Sequence, residues 1–170
     1  MDFMTGVSLN LQQFKNHGGK LIISSSVNDG IFSGASIVSW YNNMNQHMGG
    51  KADKFARLFM VPNMAHCGGG PATNDFAVNE LNAITAWVEN GIAPDRIVAA
   101  NHNTSSPFPS GGLFDGRVAQ NFPAGGTRPL CPYPQIPSYI GHGMTNDASN
   151  FVCVQNHDHN DDDDGHHDHH

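Results

Sequence analysis

Basic residues are scarce in this sequence. Lys and Arg account for 8 of its 170 residues, and they form no cluster. Six of the 15 acidic residues lie in the last fourteen residues, HDHNDDDDGHHDHH, so the rest of the chain has nine acids against eight bases. A protein that follows a phosphate backbone needs a basic patch or stripe. We therefore expect no nucleic-acid partner.

Long apolar runs are also missing. A helix that crosses a bilayer needs roughly 20 consecutive apolar residues, and no stretch of the sequence approaches that length. The first residues, MDFMTGVSLN, lack the basic start and continuous apolar segment of a signal peptide. We expect no membrane partner, and 38% hydrophobic content over 170 residues is enough for the core of one domain.

Cysteine is rare. The sequence has Cys67, Cys131 and Cys153 and no CxxC pair, which weakens a structural zinc site or a thioredoxin-like function. With an odd number, at least one cysteine is free, binds metal or pairs outside the chain. The simplest arrangement joins Cys131 to Cys153 and leaves Cys67 over.

Apolar patterning predicts two strands, each followed by a helix. Residues 18–26, GGKLIISSS, read as a turn and a strand, and residues 56–61 as a second strand ended by Pro62. The first helix, with Ser33 as N-cap and Gly49-Gly50 as its end, is indicated by four apolar residues at spacings of three and four: Ile37, Tyr41, Met44 and Met48. The second, over residues 75–90 and ended by Gly91, is indicated in the same way: Ala77, Leu81, Ile84 and Val88.

This alternation of strands and helices predicts an α/β fold with a parallel sheet, whose ligands gather outside the carboxyl ends of the strands. Asp29 follows the first strand, and His66 follows the second in the loop VPNMAHCGGGP. Residues 101–137 are rich in Pro, Gly, Ser and Asn without a sustained period, so we predict an ordered, loop-rich covering or a long meandering segment there. A Cys131–Cys153 bridge would fasten it and contribute about 3 kcal/mol.

Several roles are open to these loop residues. His66 could be a metal ligand, a catalytic base or a histidine bonded to backbone, and Asp29 could be a turn or helix-cap residue. An acid followed by a histidine is the chain order of an α/β-hydrolase triad after its serine. Upstream of Asp29, however, the serines are Ser8 and residues 24–26, and none stands in a G-x-S-x-G pattern.

Five blocks of the sequence resemble the tannase and feruloyl esterase family of α/β-hydrolases. They are GGKLI with the acid loop NDGIFS, then RLFMVPNMAHCGGGP, AITAWVENGIAPDRIVA, TRPLCPYPQIPSYIGHG and NFVCV, in order over residues 18–154. The resemblance implies that Asp29 is the acid and His66 the base of a Ser-Asp-His triad. It also implies that Cys67 bridges to a cysteine that precedes the serine, and that Cys131 and Cys153 form a further disulfide.

The sequence departs from the family in two places. The residues before the acid are SSSVN, where family members commonly have an aromatic residue and a glycine. The family's nucleophile region, and its lid with a calcium site, have no counterpart here. We therefore expect residues 1–156 to be the C-terminal segment of an α/β-hydrolase sheet with flanking helices, followed by the disulfide-fastened, loop-rich segment, without a cofactor site.

The function implied by the resemblance is hydrolysis of phenolic-acid esters, feruloyl or galloyl, in a secreted or periplasmic protein. The partner would be the N-terminal portion that carries the serine and its neighbouring cysteine, and the chain alone would be inactive. Residues 157–170 are predicted to be a disordered His/Asp tail with weak affinity for zinc, nickel or copper. The alternative is a non-catalytic secreted binding or assembly protein that keeps the fold and binds metal through its tail.

Overall fold

The structure is a computed structural model that describes residues 8–27, 29–62, 64, 66, 76–100 and 125–156. These residues form a mixed α/β fold with three α-helices and six short strands. The helices are α1 (Gln12–Asn16), α2 (Gly34–His47) and α3 (Ala77–Asn90). The strands are β1 (Leu21–Ser26), β2 (Ala56–Val61), β3 (Ile97–Ala100), β4 (Thr127–Leu130), β5 (Gln135–Tyr139) and β6 (Phe151–Gln155). The predicted tail, residues 157–170, lies outside the described residues, as does Cys67.

The centre of the fold is the parallel pair β1–β2, which confirms the predicted parallel strands. Their register runs from Leu21 opposite Ala56 to Ser26 opposite Val61. The apolar run ARLFMV makes β2 suitable for burial on both faces, and Leu58, Phe59 and Val61 are fully buried. The carboxyl ends of both strands therefore meet at one edge, where the two predicted site loops begin.

The helix α2 covers one face of this pair with its predicted apolar stripe. All four members are buried or half-buried: Ile37, Tyr41, Met44 and Met48. Gly49 and Gly50, with φ of 80° and 71°, end the helix as predicted. Ser33 occupies the N-cap position, but its side chain makes no capping bond. The Ser36 N–H instead donates to the Ser33 main-chain carbonyl at 3.0 Å.

The helix α3 lies on the opposite face, and its predicted apolar stripe is largely exposed. Leu81 is 64% and Val88 60% accessible to solvent. The side facing the core is an adjacent one, on which Phe76 and Trp87 are buried and Ala83 packs against the second core cluster. Gly91, at φ 70°, ends the helix as predicted. The helix itself is thus confirmed, whereas half of its apolar surface has no cover among the described residues.

The prediction of a loop-rich segment over residues 101–137 is wrong from residue 125 onward. The strand β4 and the start of β5 lie there, and residues 101–124 lie outside the described part of the chain. β4 pairs antiparallel with β3, from Ile97 opposite Leu130 to Ala100 opposite Thr127. Four residues, TRPL, carry no readable period, so only the long-range pairing reveals this strand.

A disulfide fastens the C-terminal strands. Cys131, directly after β4, is bonded to Cys153 in β6, with Cα atoms 5.6 Å apart, which confirms the predicted pair. The segment between them reaches the outer edge of β2, because the Tyr133 N–H donates to the Leu58 carbonyl at 2.7 Å. This segment therefore covers the outer edge of β2.

Candidate active site

Asp29 lies just beyond the carboxyl end of β1, in the loop that leads into α2. Its Oδ1 accepts hydrogen bonds from the main-chain N–H groups of Ile31 at 2.7 Å and Phe32 at 3.1 Å. This is the local turn that an aspartate favours. The turn uses only Oδ1, so the second carboxylate oxygen, Oδ2, is available for another hydrogen bond.

His66 follows β2 and meets that second oxygen. Its Nδ1 lies 2.8 Å from Asp29 Oδ2, and the two side chains are 22% and 10% exposed. With a proton on Nδ1, the ring donates to the carboxylate and Nε2 carries the lone pair. The structure therefore brings together two residues that are 37 positions apart in the sequence.

The Asp29 carboxyl is held in its charged form. The hydrogen bond from His66 lowers the pKa of Asp29 below its ordinary value, and the bonds from Ile31 and Phe32 lower it further. Partial desolvation acts in the opposite direction and does not outweigh them. Asp29 is thus an anion next to the imidazole at neutral pH.

An aromatic ring completes the surroundings of the imidazole. The rings of Phe32 and His66 are 5.2 Å apart between centroids, at an angle of 42°. The Phe32 ring is 62% exposed, so an accessible aromatic surface lies beside the histidine. Phe32 was not among the predicted site residues, although its position three residues after Asp29 was a signal for it.

A histidine that is oriented by a carboxylate can accept a proton at Nε2 and return it, which is the chemistry of a general base. Among the described residues, no three His, Cys, Asp or Glu side chains come close enough together to hold a metal ion. Nor does any described helix have the length and apolar content to span a membrane.

Two serines of β1, the strand that leads to the acid, donate hydrogen bonds to other groups. Ser24 Oγ donates to Glu80 Oε1 on α3 at 2.6 Å, and the Ser26 hydroxyl donates to the main-chain carbonyl of Met64. Ser26 is 2% exposed, so an ester carbonyl has no access to it. Neither serine is placed as a nucleophile.

An open groove runs along β1 on the side of α3. Its volume is about 640 Å³, and β1 has no strand on its second edge among the described residues. Both elements contribute apolar and polar side chains to its wall: Lys20, Leu21, Ile22, Ile23, Ser24, Ala77, Glu80, Leu81 and Ile84. On β1 the lining of the groove runs from the start of the strand to Ser24, and the strand itself continues toward Asp29.

Over residues 1–154, the sequence matches the protein family described as tannase and feruloyl esterase. The chain belongs to this family. The resemblance inferred from the motif around His66 is therefore confirmed. Members of the tannase and feruloyl esterase family hydrolyse esters, so the Asp29–His66 pair lies in a protein of a hydrolase family.

Three relatives illustrate the similarity. The chain is 40% identical over 154 residues to the mono(2-hydroxyethyl) terephthalate hydrolase of Piscinibacter sakaiensis, covering 91% of this chain and 23% of that protein. It is 29% identical over 152 residues to a probable feruloyl esterase of Arthroderma benhamiae, covering 88% and 25%. The crystal structure of feruloyl esterase B from Aspergillus oryzae matches with a TM-score of 0.64 at 28% identity, covering 86% of this chain and 29% of that one. The chain thus spans about a quarter of the length of these relatives.

Proposed function

We propose that this chain supplies the acid, Asp29, and the base, His66, of a Ser-Asp-His triad in a serine esterase that hydrolyses phenolic-acid esters. The observation that carries the proposal is the 2.8 Å contact between His66 Nδ1 and Asp29 Oδ2. It is strengthened by the two main-chain N–H groups that hold the carboxylate. A carboxylate fixed in this way selects the tautomer in which Nε2 can act as a base.

In this mechanism, His66 Nε2 takes the proton of a serine hydroxyl as that oxygen attacks the ester carbonyl. The same proton is then delivered to the leaving alcohol, and an acyl-enzyme remains. Water, activated by the same histidine, attacks the acyl-enzyme and releases the acid. Asp29 stays ionised throughout and stabilises the imidazolium that forms at each step.

The serine comes, in this proposal, from a polypeptide portion outside these 170 residues. Its natural place is the groove beside β1, because a further parallel strand added at that edge would end next to Asp29 and cover the apolar side chains of α3. Cys67 would bridge to a cysteine beside that serine and so fix the two loops. Without this portion, the chain has no ester hydrolysis activity.

The substrate class is supported by the site and by the relatives. The exposed ring of Phe32 lies next to the imidazole, which suits an aromatic acyl group. Relatives are described as feruloyl esterases and as a terephthalate monoester hydrolase. We propose a feruloyl or galloyl ester as the substrate. The disulfide supports an oxidising location, secreted or periplasmic.

A chimera tests the proposal. The segment of the Piscinibacter sakaiensis hydrolase that aligns with this chain is replaced by it, and turnover of methyl ferulate, methyl gallate and mono(2-hydroxyethyl) terephthalate is measured. We expect activity that falls about 10⁶-fold with His66→Ala and about 10⁴-fold with Asp29→Asn. His47→Ala, at the exposed end of α2, is the matched histidine control and should retain activity.

Two outcomes would contradict the proposal. The first is a folded, active chimera in which His66→Ala changes nothing. The second is ester hydrolysis by the isolated 170-residue chain, because that would place a nucleophile within it. A folded chimera that binds aromatic esters but never turns them over would favour the non-catalytic binding protein.

A further inference from the structure

Ser26, the last residue of β1, carries a buried hydroxyl at the end of the strand that leads to the acid. It is 2% exposed, and a buried hydroxyl is costly unless it is hydrogen-bonded. Its hydroxyl donates to the main-chain carbonyl of Met64. Met64 is two residues before His66, so this bond joins the strand that leads to the acid directly to the segment that carries the histidine.

The bond lies where the backbone pairing of the two strands stops. The ladder between β1 and β2 ends at Ser26 opposite Val61, followed by one more bond from the Val27 N–H to the Val61 carbonyl at 3.1 Å. The next residue of the second strand is Pro62, which has no N–H to donate. Beyond Pro62, the bond from the Ser26 hydroxyl to Met64 connects the end of β1 to the segment after β2. The next contact toward the site is the one between Asp29 and His66.

The Ser26 main chain is held firmly enough to serve as an anchor. Gly34, the first residue of α2, packs so closely that a Cβ added there would lie 2.7 Å from the Ser26 carbonyl oxygen and 3.3 Å from Val27 Cα. Strand pairing on one side and this helix contact on the other leave the residue little freedom. A hydroxyl on such a backbone can fix the position of a more loosely attached partner.

We propose that Ser26 is a positioning residue for the base: its hydroxyl fixes the Met64 carbonyl and thereby holds the His66 ring against the Asp29 carboxylate. The inference rests on the proposed function for its catalytic meaning. Its structural content, that the His66–Asp29 distance depends on the Ser26 hydroxyl, can be measured independently of activity.

Ser24 provides a matched comparison within the same strand. It faces the same side of β1, two residues earlier, and its hydroxyl also donates to an acceptor, Glu80 on α3. Loss of that bond alters the packing of a helix and not the histidine segment. A merely structural role for the β1 serines would therefore make Ser24→Ala and Ser26→Ala equivalent.

The test is carried out by NMR on the isotope-labelled 170-residue chain. For Ser26→Ala, we expect the midpoint of the Asp29 carboxyl titration to move up toward its ordinary value, because the bond from His66 is weakened. The His66 ring ¹⁵N signals should also move toward those of a mixture of tautomers. Ser24→Ala should leave both signals as in the wild type, and Ser26→Thr, which keeps the hydroxyl, should largely restore them.

The proposal is overturned if a folded Ser26→Ala chain keeps the wild-type Asp29 midpoint and His66 tautomer, or if Ser24→Ala changes them as much. If Ser26→Ala does not fold, Ser26→Cys takes its place, because it keeps the volume and weakens the donor. An intermediate change is then expected, and unchanged signals in the Cys variant would also overturn the proposal.

A kinetic measurement in the chimera separates this inference from the proposed function. Misplacement of a base lowers the rate of the chemical step more than substrate binding, so Ser26→Ala should lower kcat roughly 10- to 100-fold at nearly constant KM. An equal rise in KM at constant kcat would contradict a positioning role. Failure of the proposed function has a different sign: the chimera stays active when His66 is replaced by Ala.

Discussion

The two faces of the β1–β2 pair differ in how far the apolar side chains of the helix on each face are buried. On the face of α2, the predicted apolar stripe is buried, and the disulfide-fastened segment adds a second cover. There the ring of Tyr133 meets Tyr41 edge-on at 6.1 Å, and Asn42 Nδ2 donates to the Tyr133 hydroxyl at 3.1 Å. On the face of α3, Leu81 and Val88 are exposed beside an open groove.

The two edges of the β1–β2 pair differ as well. β2 is bounded on its outer edge by the segment around Pro132 and Tyr133, whereas β1 has no second neighbour in the described part of the chain. An uncovered strand edge next to exposed apolar side chains is a site for another strand. This is the edge at which the proposed triad needs its serine.

The largest effect expected from this comparison is on the free energy of unfolding. Met44, fully buried on the α2 face, leaves a cavity when it is replaced by Ala, so Met44→Ala should cost about 2–5 kcal/mol. Leu81→Ala, a substitution of similar size on the exposed stripe, should change the stability by less than about 0.5 kcal/mol. Urea unfolding at low protein concentration measures both.

The comparison fails if Leu81→Ala lowers the free energy of unfolding nearly as much as Met44→Ala does. Such a result would mean that the α3 stripe is covered in solution. A stability that rises with protein concentration would then identify a second copy of the chain as the cover.

The disulfide gives the next largest effect, again on the α2 side. Cys131 and Cys153 close a loop with a sequence separation of 22, for which chain entropy predicts a contribution of about 3 kcal/mol. Cys153→Ser should therefore lower the free energy of unfolding by about that amount. Reduction of the wild type with a thiol should have the same effect, while the variant should not respond to it, and equal stabilities would contradict the prediction.

The α2 side was predictable from the sequence because its signals are local. The spacing of Ile37, Tyr41, Met44 and Met48 follows the helix period, and Gly49 ends the helix. The same logic found α3, but the periodicity of Leu81 and Val88 does not indicate whether a neighbouring strand is present.

Features that depend on long-range pairing were harder to foresee. β4 is four residues long and contains Pro129, so it became visible only through its partner β3. At the site, the motif predicted that Asp29 and His66 belong together. The hydroxyl bond from Ser26 to Met64 was hidden, because a serine run at the end of a strand reads simply as polar.

The smallest effect expected is on the titration of Asp29, which lies just beyond the end of β1. Its folded pKa is lowered below the ordinary value of 3.8. The stability that the ionised carboxylate contributes is therefore complete above that value, and it is lost as the pH falls through the lowered folded pKa. The stability difference between the wild type and Asp29→Asn should accordingly be constant above about pH 5 and shrink in more acidic solution.

The same titration separates the two causes of the lowered pKa. In His66→Ala, the pKa of Asp29 should rise, because the largest contribution is lost, yet it should stay below 3.8 because the Ile31 and Phe32 N–H groups remain. Asp147 is a built-in control in a ¹³C NMR spectrum of the carboxyl groups. Its pKa is lowered by Ser149 and not by His66, so it should not move. A wild-type Asp29 midpoint at or above 3.8 would mean that the histidine does not engage the carboxylate in solution, and the proposed triad would then lose its base.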